Sequence, residues 1–157
     1  MAPSGTNRQS ATHEHVLWIL VIAFAAHVLE EYRLGWVEWA SSALGLHVDA
    51  ARFFLVNAAA MVMAIAAAMI GWRSAEVSLL LPASLLANAI FFHILPTIVQ
   101  GRFSPGTITA VVLYLPLIAW TYRCAWRDGV LTRRALAISS VLGAALMFGI
   151  AGLVKFT

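Results

Sequence analysis

Long apolar runs alternate with short polar connections along the whole chain. Five such runs occupy residues 16–34, 53–72, 77–99, 106–126 and 135–154. Each has roughly the 20 residues that an α-helix needs to cross a bilayer, about twice the length of a barrel strand. None of them alternates in polarity as a barrel strand does. The pattern therefore predicts an all-α integral membrane bundle of five transmembrane helices.

The polar stretches predict how the chain is organised. Residues 1–12 are polar and are expected to form a loose N-terminal tail, whereas residues 13–157 form a single transmembrane domain. The longest connection, residues 35–50, contains Trp36 and Trp39 beside polar groups. Tryptophan in such a setting favours the membrane–water boundary. We therefore predict an interfacial segment between the first and second transmembrane helices.

Composition narrows the class of protein further. Hydrophobic residues make up 62% of the 157 residues and charged residues only 11%, whereas soluble domains have about 25% charged residues. A chain this short has too little interior to hide that apolar surface from water. This excludes a soluble domain, a disordered chain and a nucleic-acid-binding protein. The expected partners are membrane lipid and a small hydrophobic molecule, and a homo-oligomer is left open.

Basic residues predict the orientation in the membrane. The N-terminal side of the predicted bundle carries six of them: Arg8, Arg73, Arg123, Arg127, Arg133 and Arg134. The opposite side carries four: Arg33, Arg52, Arg102 and Lys155. The positive-inside rule then places the N-terminus in the cytoplasm, in the inner membrane of a bacterium. The first run imitates a signal peptide, but Glu14 stands where such a peptide has positive charge, so we interpret it as an uncleaved span.

Ionisable residues inside the first predicted helix are the main indication of chemistry. They occur in the run His27-Val28-Leu29-Glu30-Glu31. At about 100° per residue, Glu31 lies about 40° from His27 and Glu30 about 60° away on the other side. One imidazole and two carboxylates therefore share a helix face. Such groups are expensive in a membrane and indicate a functional site.

Further polar residues fall in the same half of the predicted bundle. Asn57 lies about one turn inside the second helix, and Asn88 and His93 lie in the half of the third helix that ends on the same side. The predicted catalytic residues are His27, Glu30, Glu31 and His93. The predicted substrate-binding or supporting residues are Asn57, Asn88 and Tyr114. For the two asparagines, hydrogen bonding between helices is an equally good interpretation, and for Tyr114 ordinary packing is the simpler one.

The spacing of Asn88 and His93 poses a geometric problem. Residues five apart point about 140° away from each other on an ideal helix. Both can face one cavity only if the helix bulges or kinks between them. Pro96 removes the backbone hydrogen bond to the carbonyl of Phe92 and is a candidate cause of such a distortion.

Four features, in this order, resemble the HXXEE family of small bacterial membrane proteins. They are the run His27-Val28-Leu29-Glu30-Glu31, Asn57, the stretch Asn88-Ala89-Ile90-Phe91-Phe92-His93, and Ser104-Pro105-Gly106. The resemblance covers residues 18–116. That family is defined by its sequence, and its enzymatic role is a suspicion. The resemblance therefore implies which residues matter but implies no particular reaction.

Two chemical mechanisms are compatible with these residues. In the first, His27, Glu31 and His93 bind a zinc or iron ion, with Glu30 as fourth ligand or base. In the second, no metal is bound and the two glutamates share a proton, because neighbouring carboxylates in a low dielectric cannot easily both ionise. Such an acid could protonate a lipid double bond, which suits isomerisation or cyclisation of an isoprenoid.

Two interpretations without catalysis remain beside these. A proton-coupled carrier would use buried carboxylates as a relay, although five spans are few for a carrier and no inverted repeat is visible. A non-catalytic scaffold would need no such cluster, and Glu30 and Glu31 would then only mark a helix end beside Arg33. Ser104-Pro105-Gly106 is most simply a turn that begins the fourth helix.

Overall fold

The part of the chain that the structure describes folds as a helical bundle. The computed structural model describes residues 12–156, with side chains described as far as Gly152. The predicted N-terminal tail, residues 1–12, lies outside the described residues except for Thr12. The described α-helices are α1 (Val16–Arg33), α2 (Trp36–Ala43), α3 (Ala50–Ile70), α4 (Ala75–Ser78), α5 (Leu80–Asn88), α6 (Leu95–Gln100), α7 (Thr107–Thr109), α8 (Leu115–Arg127) and α9 (Arg133–Phe156).

Several of these elements join end to end into longer helices. Two π-helical segments, Ala89–Ile94 and Ala110–Tyr114, connect α5 to α6 and α7 to α8. A short 3₁₀ turn, Gly71–Ser74, connects α3 to α4. In the described residues, four helices are long and apolar enough to cross a membrane, as in an integral membrane protein: Ala50–Ser78, Leu80–Gln100, Thr107–Arg127 and Arg133–Gly152.

The first predicted span, α1, does not belong to those four. It has 18 residues and is apolar for most of its length, but Glu30, Glu31 and Arg33 bring three charges into its last turn. One face of the helix nevertheless packs into the bundle, in contact with α3, α5 and α8, while Ile22 and Leu29 on its other face are exposed. The all-helical class is thus confirmed. In the described residues, however, length and composition identify four of the five predicted spans.

The core forms on the buried face of α1. Leu17, Leu20 and Phe24 of this helix pack against Leu85 of α5 and Ile118 of α8. Alanines on α3, at positions 64, 67 and 68, are also buried in this cluster. Small side chains let helix backbones approach closely, which explains how α3 packs so tightly on α1.

The predicted interfacial segment contains a short helix, α2. Gly35 precedes it with a φ of 74°, in the left-handed region that glycine adopts readily. Trp39, Ala40 and Leu46 form a small separate cluster, with Trp36 packed against it. This cluster covers one side of the bundle at the end where α1 terminates.

The two π-helical segments share a local cause. Each is followed by a proline in the first turn of the next helix, Pro96 in α6 and Pro116 in α8. Proline has no N–H to donate and its ring clashes with the carbonyl four residues earlier. A wider turn just before it relieves both problems. The bulge that the spacing of Asn88 and His93 requires is the first of these segments.

The opposite end of the bundle is closed by a carboxylate clasp, formed by His13, Trp72 and Asp128 with Glu14 beside them. The backbone N–H of His13 and the indole N–H of Trp72 donate to Asp128 Oδ2 at 2.7 and 2.9 Å, and His13 Nδ1 lies 2.6 Å from Oδ1. The backbone N–H of Trp72 donates to Glu14 at 3.0 Å. Burial raises the pKa of Asp128, but these hydrogen bonds outweigh it and hold the pKa below its ordinary value.

Candidate functional site

Two histidines and one glutamate meet inside the bundle, and we call them the His–Glu–His cluster: His27, Glu31 and His93. Oε1 of Glu31 lies 3.6 Å from Nε2 of His27 and 3.4 Å from Nε2 of His93. The three residues are 1%, 5% and 0% exposed. Four residues separate His27 and Glu31 on α1, so one helix face presents both, and the first π segment brings His93 to them.

Each histidine is oriented by a hydroxyl group on its other ring nitrogen. Nδ1 of His27 lies 2.7 Å from Oγ1 of Thr109, and Nδ1 of His93 lies 3.2 Å from Oγ of Ser104. The Thr109 hydroxyl donates to the carbonyl of Gly106, and the Ser104 hydroxyl donates to a backbone carbonyl as well. When each hydroxyl gives its single hydrogen to the backbone carbonyl, it accepts from the imidazole N–H. In that arrangement both rings carry their proton on Nδ1 and direct Nε2 toward Glu31.

The consequence is a buried space lined by lone pairs. With Nδ1 protonated, Nε2 of His27 and of His93 carries a free electron pair, and neither atom has a hydrogen-bond partner in the part of the chain that the structure describes. Both face the Glu31 carboxylate, which also offers only lone pairs. Buried acceptors without a donor are costly. A cation placed among these three atoms would relieve that cost.

The spacing of the three atoms suits a metal ion. One ligand atom from each of His27, Glu31 and His93 can be chosen so that all lie within 4.8 Å of one another. Ligands about 2.1 Å from a tetrahedral metal ion lie about 3.4 Å apart, close to the distances measured from Glu31. Two histidines and one carboxylate are a common ligand set for zinc and for ferrous iron. The residues therefore fit a metal ion chemically and geometrically.

Glu30 lies outside the cluster although it is adjacent in sequence to Glu31. Its Oε1 accepts hydrogen bonds from the backbone N–H groups of Gly106 and Ile108, both at 3.1 Å, and its Oε2 accepts from Thr109 at 2.7 Å. These groups form the N-terminus of α7, which has no side-chain cap of its own. A carboxylate is favoured there by the unpaired N–H groups and the helix dipole. The geometry thus gives Glu30 a capping role that also positions Thr109.

Gly106 allows the two histidines to approach each other. Its φ of 96° is one that residues with a side chain rarely adopt. A Cβ atom at this position would lie 2.6 Å from Cε1 of His93 and 2.9 Å from Cε1 of His27. Only glycine fits between the rings. The sequence interpretation of Ser104-Pro105-Gly106 as a turn missed this contact with the site.

Pro96 connects the distorted helix to the orientation of His93. The helical partner of the Phe92 carbonyl would be the N–H at position 96, which proline lacks. The Ser104 hydroxyl donates to that carbonyl at 3.1 Å while holding His93. The contacts of Ser104 therefore link the distortion of the helix at Pro96 to the orientation of the His93 ring. Thr109 was also missed, because nothing in its local sequence distinguishes it from an ordinary helix residue.

Tyr114 lies directly against the cluster. Its ring centroid is 4.6 Å from that of His27, and the side chain is fully buried. Among the described residues, the phenolic hydroxyl has no hydrogen-bond partner. Buried tyrosines usually satisfy this group, so an unpaired hydroxyl beside a cluster of lone pairs is an exception that calls for an explanation.

The two predicted asparagines lie in a cavity next to Glu31 rather than beside the histidines. The cavity has a volume of about 90 Å³, and its wall includes Glu31, Trp36, Arg52, Asn57 and Asn88. The Asn57 amide donates to its own helix at the carbonyl of residue 53, and Oδ1 of Asn88 is buried without a partner. The structure thus brings Asn57 and Asn88 together on the accessible side of the cluster.

Comparison with known proteins places the chain in a family but supplies no reaction. No curated protein and no solved structure matches it. Residues 18–121 match a family described as proteins of unknown function with an HXXEE motif. That match includes the motif itself, both asparagines, His93 and the loop that holds the histidines. The chain therefore belongs to the HXXEE family.

Proposed function

We propose that this protein is an integral membrane enzyme that uses a metal ion held by His27, Glu31 and His93. One observation carries the proposal: the Nε2 atoms of two imidazoles converge on one carboxylate oxygen in a buried space, and neither Nε2 has a hydrogen-bond partner among the described residues. Buried acceptors that face one another are costly, and a cation bound among them removes that cost. The expected ion is zinc or ferrous iron, both of which accept this ligand set.

The surroundings of the cluster support a catalytic rather than a purely structural ion. Structural zinc sites have four protein ligands, whereas catalytic sites leave a position open. The cluster offers three ligands, and a cavity adjoins Glu31. When bound, such an ion polarises an oxygen of the substrate or activates water.

The remaining residues of the site have supporting roles in this proposal. Ser104 and Thr109 fix the imidazole orientation and direct Nε2 toward Glu31. Tyr114 offers an unpaired hydroxyl beside His27 that can give a proton to a bound molecule. Glu30 holds the loop on which Thr109 and Gly106 lie, so it is a positioning residue.

A metal-free mechanism is the second candidate and has its own supporting observation. His27 and His93 both lie within 3.6 Å of Glu31, so the cluster can hold a proton in place of a metal ion. Glu30 no longer fits the idea of a proton shared by two glutamates, because three backbone N–H groups occupy its carboxylate. In this version Glu31 and the histidines carry the acid–base chemistry on a lipid-like substrate.

The proposal includes a membrane topology. We infer that α1 is a fifth span, since one face packs on α3, α5 and α8, apolar residues such as Ile22 and Leu29 are exposed on its other face, and its charges occur in the last turn. Six of the ten basic residues lie on the N-terminal side of the predicted bundle. This excess favours a cytoplasmic N-terminus in a bacterial inner membrane. A thiol-specific label that cannot cross membranes should then reach Arg102→Cys from outside but not Arg127→Cys, both made in a Cys124→Ser background.

Metal analysis tests the central claim. Protein purified in detergent without chelators should contain about one zinc or iron ion per chain. Single changes of His27→Ala, Glu31→Gln and His93→Ala should each lower that content by about tenfold or more, because each removes a ligand. His47→Ala, which alters an exposed histidine outside the cluster, is the matched control and should retain the metal.

The same samples separate the two mechanisms. Wild-type protein that holds neither metal, and whose melting temperature is unchanged by added zinc or ferrous iron, would refute the metal centre. Retention of metal in all three cluster variants would refute the ligand assignment.

A further inference from the structure

A second and larger cavity lies beside the one at Glu31. It has a volume of about 300 Å³ and is bounded mainly by α3, α5 and α9, and we call it the apolar chamber. The two cavities share part of their wall, including Asn57 and Asn88. The asparagines therefore stand at the junction between a polar space next to the cluster and an apolar space that leads away from it.

The apolar chamber is elongated along the helices. Its lining on α3 reaches from Asn57 to Ala67, and on the facing side it reaches from Asn88 back to Val77. Ten residues of α-helix correspond to about 15 Å. Apart from Ser84 and the two asparagines at the junction, the lining side chains are apolar. The chamber thus suits an apolar chain about 15 Å long, lying parallel to the helices.

The chamber opens sideways between helices that are long enough to cross the membrane. In the described residues α9 packs mainly on α5, α3 packs mainly on α1, and α3 makes almost no contact with α9. Two residues at the rim, Met63 and Val77, are 43% and 37% exposed. In a membrane that these helices span, the gap between α3 and α9 lies in the hydrocarbon region, so an occupant can enter directly from the bilayer.

The junction determines which head group fits. Oδ1 of Asn88 is buried, has no partner among the residues that the structure describes, and needs a donor. A hydroxyl group both donates and accepts, so it satisfies this amide in either orientation of its oxygen and nitrogen. The wall of the polar space carries one carboxylate and one guanidinium, Glu31 and Arg52, so it has no excess of positive charge that would favour a carboxylate or a phosphate. The polar end of the occupant is therefore best matched by an alcohol.

We propose that the apolar chamber binds a single-chain membrane alcohol, with its alkyl or prenyl tail between α3 and α9. Its hydroxyl lies at Asn57 and Asn88, next to the His–Glu–His cluster. Its role as the substrate rests on the proposed function, whereas its binding does not require the metal. Two features of the site match this class of substrate: an elongated apolar space for the tail, and at its polar end an amide oxygen with no partner among the described residues.

Photo-crosslinking in lipid nanodiscs tests the binding. The probe is dodecanol with a diazirine near the middle of its tail, and labelled peptides are identified by mass spectrometry. The expected labels lie on α3 and α9, near Met63 and Leu146, which line the chamber. An excess of unlabelled dodecanol should reduce labelling at least about fivefold, whereas dodecane, which lacks the hydroxyl, should compete much less.

A matched pair of variants distinguishes the chamber from the lipid-facing surface. Ala60 lines the chamber, whereas Ala59 is exposed on another face of the same helix. Ala60→Phe fills part of the chamber and should reduce labelling at least about fivefold, while Ala59→Phe should leave it unchanged. Asn88→Leu, which keeps the side-chain size, should remove the advantage of dodecanol over dodecane as competitor.

Metal content measured on the same samples separates this proposal from the proposed function. Loss of labelling in Ala60→Phe with normal metal content supports the chamber as a separate binding feature. Equal labelling of Ala60→Phe and Ala59→Phe, or equal competition by dodecane and dodecanol, would overturn the alcohol site. Labelling as expected in a protein that holds no metal would support the alcohol site and refute the metal centre alone.

Discussion

At the scale of single residues, the centre of this protein depends on a glycine and two hydroxyl residues as much as on its titratable groups. The hydroxyl groups of Ser104 and Thr109 make hydrogen bonds with Nδ1 of the two imidazole rings, and Gly106 lies between the rings. None of these three carries a charge or a lone pair into the cluster itself. They decide where the free Nε2 atoms point, which is how residues around a metal ligand usually act.

Replacement of Gly106 by alanine should abolish the site. The new Cβ would overlap both histidine rings in addition to straining the backbone. Gly101→Ala is the matched control, because Gly101 also has a positive φ, 62°, but no atom lies within 4 Å of its missing Cβ. We expect both variants to lose about 1–2 kcal/mol from backbone strain, and only Gly106→Ala to lose its metal. Thermal unfolding and metal analysis measure the two effects, and equal metal content in both variants would contradict the steric argument.

Glu30 and Glu31 should behave differently despite being neighbours. Glu30→Gln weakens the acceptor for three backbone N–H groups and should lower the free energy of unfolding by about 1–3 kcal/mol, while part of the metal is retained. Glu31→Gln removes a ligand and should lose the metal.

Thermal melts with and without a chelator distinguish these two glutamate variants. The chelator should lower the melting temperature of Glu30→Gln but not that of Glu31→Gln. A loss below about 0.5 kcal/mol in Glu30→Gln would mean that Glu30 is only a solvated helix end.

At the scale of elements, the two π-helical segments do the positioning. A regular α-helix from Leu80 to Gln100 would turn Asn88 and His93 away from each other, but the wide turn at Ala89–Ile94 brings both toward Glu31. The segment persists because Pro96 prevents a regular helix there and Ser104 satisfies the carbonyl that proline leaves free. A local irregularity of this kind, common at functional sites, is therefore part of the site.

Pro96→Ala tests this element. Alanine restores an N–H that can bond to the carbonyl of Phe92, so the wide turn should relax toward a regular helix and release Ser104. We expect metal content to fall severalfold while thermal stability stays the same or rises. Pro82→Ala is the control, because Pro82 lies in the first turn of α5, more than ten residues before His93 and outside the π-helical segment. Unchanged metal content in Pro96→Ala would separate the π segment from the site.

At the scale of the whole molecule, the two ends of the bundle are held by carboxylates with different tasks. Glu30 secures the loop over the cluster, whereas the carboxylate clasp secures the start of α1 against the end of α8. Between them α1 contacts α3, α5 and α8. Anchoring α1 at both ends keeps His27 and Glu31 in register with His93.

The clasp predicts a pH dependence of stability. Hydrogen bonds from His13 and Trp72 hold the pKa of Asp128 below its ordinary value. The folded state therefore binds this proton less readily than the unfolded chain does. The stabilisation is complete above the unfolded pKa of about 4 and is lost as the pH falls through the lower folded value.

Asp128→Asn should remove that dependence. The variant should be less stable by about 1–2 kcal/mol at neutral pH, because the charged acceptor is lost, and should approach the wild type as the solution becomes acidic. Unfolding followed by tryptophan fluorescence across the acidic range measures this. Glu38→Gln, which alters an exposed carboxylate, is the control. Its free energy of unfolding should change with pH in the same way as that of the wild type. A constant gap between Asp128→Asn and the wild type at every pH would contradict the assignment.

The sequence by itself determined the helical class, most of the helix positions and the His27–Glu31 pair. These follow from local regularities: the length of apolar runs and the four-residue spacing that puts two side chains on one helix face. It also indicated that a distortion was needed near Pro96. Contacts between neighbouring turns of one helix require no knowledge of how the helices pack, so a linear pattern is enough to find them.

Only the tertiary structure decided which glutamate belongs to the cluster and what surrounds it. Glu30 and Glu31 have similar positions on α1, and the difference between them comes from a loop more than 70 residues later, whose N–H groups reach Glu30 alone. The same loop supplies Ser104, Gly106 and Thr109 to the histidines. Such contacts depend on how separate helices pack and on backbone N–H groups that nearly every residue type has. For this reason the pattern of residues along the chain does not predict them.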